Sequence, residues 1–311
     1  MPTDLAIFSD RLYMATVGVY VLAMILYGIA YSADRSAKAV LVGAAGAEQE
    51  SPQEQAPTGG RSARFGRMGV ALVILGALLH LGSIVARGIA AWRWPLGNMY
   101  EFISFICLMA VVGWLVALRR VPAARNLGLF VLTPVVILLF LGGTVLYVST
   151  GPVVPPLQSY WMVIHVTTIS ASSGLLLVPG VASLLFLVRR RVDARPDRGP
   201  SLLDRLPSAE VLDRLAYRVT IVAFPIFTFG LIAGALWAEA AWGRFWGWDP
   251  KETVAFISWV IYAAYLHARA TAGWRASGAA WVNVAGFASM IFNLFFVNMV
   301  IAGLHSYAGL G

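Results

Sequence analysis

The chain has 311 residues and one cysteine, Cys107, which lies inside an apolar run. A single cysteine can form neither an internal disulfide nor a CxxC redox pair. There is no CxxCH, so the chain is not itself a c-type cytochrome. Charged residues are scarce at 12%, about half the share found in soluble domains. No Walker loop, GxGxxG, HExxH or internal repeat is present. What fills the chain instead is apolar: 59% hydrophobic residues and a mean hydropathy of +0.75. These shortages and this excess exclude a soluble enzyme, a disordered chain and a nucleic-acid-binding domain. They predict an all-α integral membrane protein.

Apolar runs of about 20 residues, enough to cross about 30 Å of hydrocarbon, are expected at 12–31, 68–90, 99–118, 127–148, 161–188, 219–240, 253–270 and 281–304. That makes about eight transmembrane helices. The first run is not a cleavable signal peptide: Asp4 and Asp10 precede it, and it has no small-residue cleavage site. With eight spans, 18 of the 23 Lys and Arg residues fall on one side and five on the other. The richer side is cytoplasmic, so both termini are predicted to be extracytoplasmic. The same bias explains the net charge of +8 without a nucleic-acid partner. The expected organisation is a first helix over 1–31, a flexible cytoplasmic linker over 32–67 rich in Ala, Gly, Glu, Gln and Pro, and a seven-helix core over 68–311. The basic stretch 189–215 runs into SLLDRLPSAEVLDRLAYR, expected as a membrane-surface helix.

The outward loop after the sixth span reads Trp242-Gly243-Arg244-Phe245-Trp246-Gly247-Trp248-Asp249-Pro250-Lys251-Glu252. An interfacial aromatic belt explains one or two tryptophans at a helix end. It explains poorly three of them interleaved with glycine and followed by Asp-Pro-Lys-Glu. Glycine lets backbone approach a flat ligand, and aromatic faces can cover a large planar apolar molecule.

The stretch WGRFWGWDPKE resembles the WWD signature of haem-handling proteins. Its DPKE tail, the chain length and the eight spans make the chain most similar to the CcsA/ResC-type cytochrome c synthase subunit of System II cytochrome c biogenesis. System I relatives share the WWD region. The resemblance covers roughly Leu79 to the C-terminus, and Phe245 stands where many relatives have Tyr. It implies haem b as the bound group and a WWD loop at 242–252 that holds it. It also implies a ResB/CcsB-type membrane partner with an extracytoplasmic domain, and an apocytochrome c carrying CxxCH. The expected place is the plasma membrane, in contact with lipid, with the site on the extracytoplasmic face.

Four histidines are available as ligands to haem iron. His165 lies about 6 Å below the outer surface by helix rise, and His305 ends the eighth span on the same side. In the family, the histidines flanking the WWD loop are the outer haem ligands, and His165 and His305 match them in order and context. His267 lies about 22 Å below the outer face and resembles the family's intramembrane histidine. His80 sits near mid-depth and is either haem-related or structural. Trp242, Trp246, Trp248 and Asp249 are expected to complete the haem site, with Asp249 also able to cap the seventh helix. Among the outward basic residues, Arg87, Arg93, Arg244 and Lys251 serve either as interfacial anchors or as partners of haem propionates. Glu101, in the family-like stretch 94–101, is expected as a buried polar contact.

No side-chain nucleophile is expected, because the thiols of the apocytochrome attack the haem vinyls; positioning is the task left to the protein. The resemblance thus points to the haem-handling subunit of a holocytochrome c synthase, a haem lyase acting with its partner. Two other readings stay open: a haem transporter or chaperone without ligase activity, and a b-type electron-transfer protein.

Overall fold

A computed structural model describes residues 2–44, 59–195, 201–271, 274, 276–301 and 303–305. It is almost entirely helical: α1 (Pro2–Ala44), α2 (Gly59–Ala91), α3 (Met99–Arg120), α4 (Gly128–Thr144), α5 (Tyr160–Asp193), α6 (Ala209–Trp242), α7 (Pro250–Ala270) and α8 (Ala276–Phe292). Short 3-10 turns lead into α4, α5 and α6, and a π-helical turn, Asn293–Val297, continues α8. Among the described residues no strand is present.

Seven of these helical segments are long and apolar enough to cross a membrane. The exception is α7. Its 21 residues would reach about 30 Å, but Trp259, Tyr262, Tyr265, His267 and Arg269 dilute its apolar character. Helix also occupies both ends of the segment expected as a linker, through Ala44 and again from Gly59. The Ala-rich SADRSAKAVLVGA run has the propensity for this; residues 45–58 of that expectation lie outside the described residues. The stretch expected as a surface helix is instead divided. Leu202–Arg205 is a 3-10 turn, and the remainder forms the first turns of α6, where Leu212, Leu215 and Ala216 are buried.

α1 and α2 pack along one another through complementary residue sizes. Tyr13, Tyr20 and Tyr27 recur every seven residues on α1 and are all buried. Facing Tyr27 and Tyr20 on α2 are Gly69 and Gly76, and, a further seven residues on, Ser83 bonds Ser9. A Cβ on Gly76 would come within 2.4 Å of the Tyr20 ring, and one on Gly69 within 3.1 Å of Tyr27. The heptad spacing keeps both rows on the helix–helix seam, and small residues allow the close approach typical of membrane helices. α3 is deeply enclosed, with Trp114, Ile103 and Cys107 in the core between α2, α4 and α5. α5 and α6 form a second long pair, and α7 and α8 close against them.

Asn98 starts α3: its side chain accepts the Glu101 amide at 2.9 Å. Glu101, 2% exposed, then gathers both arginines of the α2 end. Arg87 Nε donates to it at 2.8 Å, and Arg93 donates two bonds at 2.8 and 3.0 Å. The Gly97 amide adds a fourth donor at 2.7 Å. This knot joins α2, α3 and, through Arg93 to the Gly151 carbonyl at 2.9 Å, the loop before α5.

Candidate functional site

The site begins on α5, where Ser159 caps the helix by accepting the Trp161 amide. This places His165 in the second turn, facing α6. Its Nδ1–H donates to the Gly230 carbonyl at 2.8 Å. That bond is open because Thr228 to Gly234 is a stretch of α6 with small residues at the contact. A Cβ on Gly234 would lie 2.6 Å from His165 Cε1. With Nδ1 committed as a donor, Nε2 carries the lone pair.

One helical turn beyond Gly234, Trp237 stacks on the His165 imidazole, with centroids 5.7 Å apart and planes at 16°. The same indole meets His305 edge-on at 5.6 Å and Trp242 at 4.8 Å, and Trp242 meets His305 at 5.2 Å. Trp237 is 2% exposed, and its Nε1–H donates to the Pro156 carbonyl at 2.9 Å. Two imidazoles thus share one fixed indole. Sequence reasoning missed Trp237 because, inside an apolar span, it reads as core; its spacing of five from Trp242 was the signal available.

His305 arrives from the other end of the chain. The turn after α8 brings it to the start of α7, where its Nδ1–H donates to Asp249 Oδ1 at 2.9 Å. Asp249 also accepts the Leu304 amide at 2.8 Å and the Lys251 amide at 3.1 Å. It is therefore both the α7 cap, in a capping box with Glu252, and the group that fixes the His305 tautomer. Burial pushes the Asp249 carboxyl up, but the bonds from His305 and the Leu304 amide outweigh it and hold the group at about 2. Burial likewise draws His305 below the ordinary imidazole value, against the opposing pull of Asp249. At neutral pH the pair is carboxylate and neutral imidazole, the state in which an imidazole can bind a metal.

The WWD loop closes over this cluster. Gly243 reverses the chain with φ +68°. Arg244 pairs with Glu252 at 3.2 Å, passing so close to Gly247 that a Cβ there would sit 1.9 Å from the guanidinium carbon. Trp242, Phe245 and Trp246 line a cavity with His165, Trp237 and His305. Trp248 does not: it is 69% exposed, meets Trp246 edge-on, and holds φ +58°, a conformation that disfavours a non-glycine residue. The enclosed volume is about 80 Å³, below the 300–1,000 Å³ usual for small-molecule pockets. The donor set suits an iron porphyrin: two imidazoles with Nδ1 tied and indole faces beside them. The macrocycle would need the loop over them to part.

The other two histidines stand apart. His80 of α2 is fully buried against α1 and α3, with Nε2 at 2.9 Å from Ser104 Oγ and rings of Tyr13 and Tyr20 around it; its Nδ1 has no partner among the described residues. His267 is in the last turn of α7, exposed, next to Thr271 at 3.5 Å. The structure does not bring them together. Among the described residues no cluster of three or more His, Cys, Asp or Glu could hold a bare metal ion.

Residues 96–305 match the family described as Cytochrome C assembly protein. The cytochrome c biogenesis protein CcsA of Gloeobacter violaceus is 33% identical over 286 residues, covering 75% of this chain and 84% of that protein. CcsA of Parasynechococcus marenigrum is 35% identical over 271 residues, covering 76% and 85%. CcsA of the alga Mesostigma viride is 32% identical over 267 residues, covering 78% and 86%. Among solved structures, the cytochrome c heme lyase CcmF superposes with a TM-score of 0.66 at 17% identity, over 94% of this chain. The match takes in 46% of CcmF, and it establishes a shared fold. The seven apolar helices, the fold and the matched sequence agree: the chain belongs to the cytochrome c assembly protein family and is of its CcsA type, a multi-pass membrane protein of cytochrome c biogenesis.

Proposed function

We propose that this chain is the haem-handling subunit of a cytochrome c synthase. It holds haem b between His165 and His305 under the WWD loop and presents it to the CxxCH segment of an apocytochrome c. The observation that carries this reading is the pair of imidazoles meeting one indole, each with Nδ1 held by a fixed acceptor. In the reaction each substrate thiol adds across a haem vinyl: a C–S bond forms, the vinyl double bond is consumed, and the thiol proton ends on carbon. No oxidant and no protein nucleophile are required. Buried Cys107 is far from such a role. The chain's work is to fix the haem plane and keep its vinyls accessible.

On this reading the bundle crosses the plasma membrane eight times, α7 included, with both termini and the WWD loop outside, as the distribution of basic residues supports. A ResB/CcsB-type partner supplies the extracytoplasmic domain. His267, on the α7 end opposite Asp249, is where haem is received from the inner side. His80 is a packing residue of the α1–α3 core, since Ser104 and two tyrosines surround it.

The test is co-expression of the chain, its partner and a CxxCH reporter in cells lacking other maturation proteins. Covalent haem on the reporter, lost in His165→Gly and His305→Gly, is expected. Full maturation by either variant refutes the assignment of the outer site. Haem bound to the purified chain with no reporter maturation makes the chain a carrier.

A further inference from the structure

The outer end of the bundle carries few cations, and the structure shows how each is engaged. Arg87 and Arg93 are held by Glu101. Arg244 is paired with Glu252. Arg11 is on the exposed face of α1, which packs on α2 and α4 away from the site. Of the cations beside the site, Lys251 is the one with no carboxylate at ion-pair distance among the described residues. Its ammonium donates to Asn298 Oδ1 and lies 5.9 Å from the Phe102 ring.

Lys251 also borders two cavities. One is the His165–His305 cavity. The other, of about 210 Å³, is an almost wholly apolar chamber between α3, α4, α5 and α8, walled by Phe102, Leu177, Phe227 and Phe287. Ile169, Ala255 and Asn293 border both. A cation in the first turn of a helix opposes the helix dipole, and a charge withdrawn from water without a counter-ion is costly. The π-helical turn Asn293–Val297 brings Asn293 and Asn298 to this place, and Asn293 Oδ1 is buried without a hydrogen-bond partner. Such turns often mark functional positions in helices. An ammonium at the junction of an aromatic-lined cavity and an apolar one suits a molecule with a large apolar body and a carboxylate.

Resting on the haem reading above, we propose that Lys251 is the carboxylate-binding residue of the site and that its ammonium pairs with a haem propionate. The two propionates set which edge of the porphyrin points inward, so this contact determines which edge is left for the apocytochrome. Lys251 is thus a positioning residue for the vinyls.

The experiment titrates the purified full chain with haem and with haem dimethyl ester, following the absorption spectrum. The wild type is expected to bind haem at least about tenfold more tightly than the ester. Lys251→Met should bring haem down to the ester's affinity and leave the ester's own affinity in place. Lys251→Arg should restore the preference. A Lys251→Met protein that keeps the wild-type preference overturns the proposal, and Lys251→Gln serves the same comparison should the methionine variant not fold. A third arm adds oleate: Lys251-dependent binding of oleate that does not compete with haem assigns the ammonium to a lipid carboxylate and also overturns it. Failure of the parent reading looks different, because then neither porphyrin binds in a manner sensitive to His305→Gly.

Discussion

Asp249 is the residue whose replacement tests the site most sharply, because its two oxygens serve two purposes. Oδ1 and Oδ2 cap α7 and hold the segment that bears His305. Serine at an N-cap retains the capping bond but is too short to reach both the Leu304 amide and His305 Nδ1. Asp249→Ser should therefore keep α7 and release His305. Loss of a carboxylate behind a metal-bound histidine costs about 10–100-fold in affinity, or about 1.4–2.7 kcal/mol. Asp249→Ala should lose this and, in addition, about 1 kcal/mol of cap stability. Haem titrations of the two purified variants, read for a bis-imidazole spectrum and paired with thermal melts, separate the effects. The serine variant should melt near the wild type yet bind haem at least tenfold more weakly with an altered spectrum. An Asp249→Ser protein with wild-type affinity and spectrum would show that the carboxylate does not orient the ligand, and the outer-site geometry would lose its support.

Other outcomes follow from the same structure. Gly234→Ala places a methyl 2.6 Å from His165 Cε1; it should dislodge the imidazole and abolish six-coordinate haem while membrane levels stay normal, and an unchanged spectrum contradicts the close approach. Glu101→Gln takes from Arg87, 3% exposed, its carboxylate at 2.8 Å and leaves it Asp10 at 3.7 Å; a loss of up to about 3 kcal/mol should appear as a lower melting temperature, with the spectrum of the folded fraction unchanged. On acidification, His305 stays neutral below the ordinary 6.5 because its pKa is lowered. The share of site stability it gives is intact above that value and is lost as pH falls through the lowered one. Iron ligation shifts the loss further the same way, so haem retention should fall with a midpoint under pH 6.5, and a midpoint above it argues against His305 as ligand. Asp249, held at about 2, contributes fully above about 3.9 and is lost only as pH approaches 2, well below that limb.

Much of the bundle was legible from hydropathy alone, because a membrane helix must satisfy its backbone within itself and announce its length in apolar residues. The apolar signal is weakest in α7, expected at 253–270, where Trp259, Tyr262 and Tyr265 face neighbouring helices and His267 is exposed. The gathering of His165, His305 and Trp242 could be anticipated from a shared outer side, since charge bias and helix rise together give depth. Depth does not give azimuth. Nothing in the sequence says that Trp237 lies between the imidazoles, that Trp248 turns away, or that Glu101 gathers Arg87 and Arg93 from another helix. The same limit hid the match of Tyr20 and Tyr27 with Gly76 and Gly69, although both pairs are spaced by seven residues. Lys251 looked like one of several outward cations until the pairing of the others singled it out.

The two imidazoles are fixed by unlike means, and the difference follows from where their elements begin. His165 is one turn into a capped 34-residue helix, against a face of α6 on which Gly230, Gly234 and Trp237 recur at i, i+4 and i+7. Its position is set by helix packing, and moving it requires α5 and α6 to separate. His305 follows a π-helical turn and a bend, and its place is set by the Asp249 carboxylate, 56 residues back in sequence, and by the rings of Trp237 and Trp242. Such a turn opens at far smaller cost than a packed helix pair. On the proposed haem reading, a rigid macrocycle entering a cavity of about 80 Å³ needs one wall that stays and one that yields. The helix-borne histidine with its stacked indole is then expected to be the wall that stays, and the Asp249-held turn, with the loop after Gly243 beside it, the wall that yields.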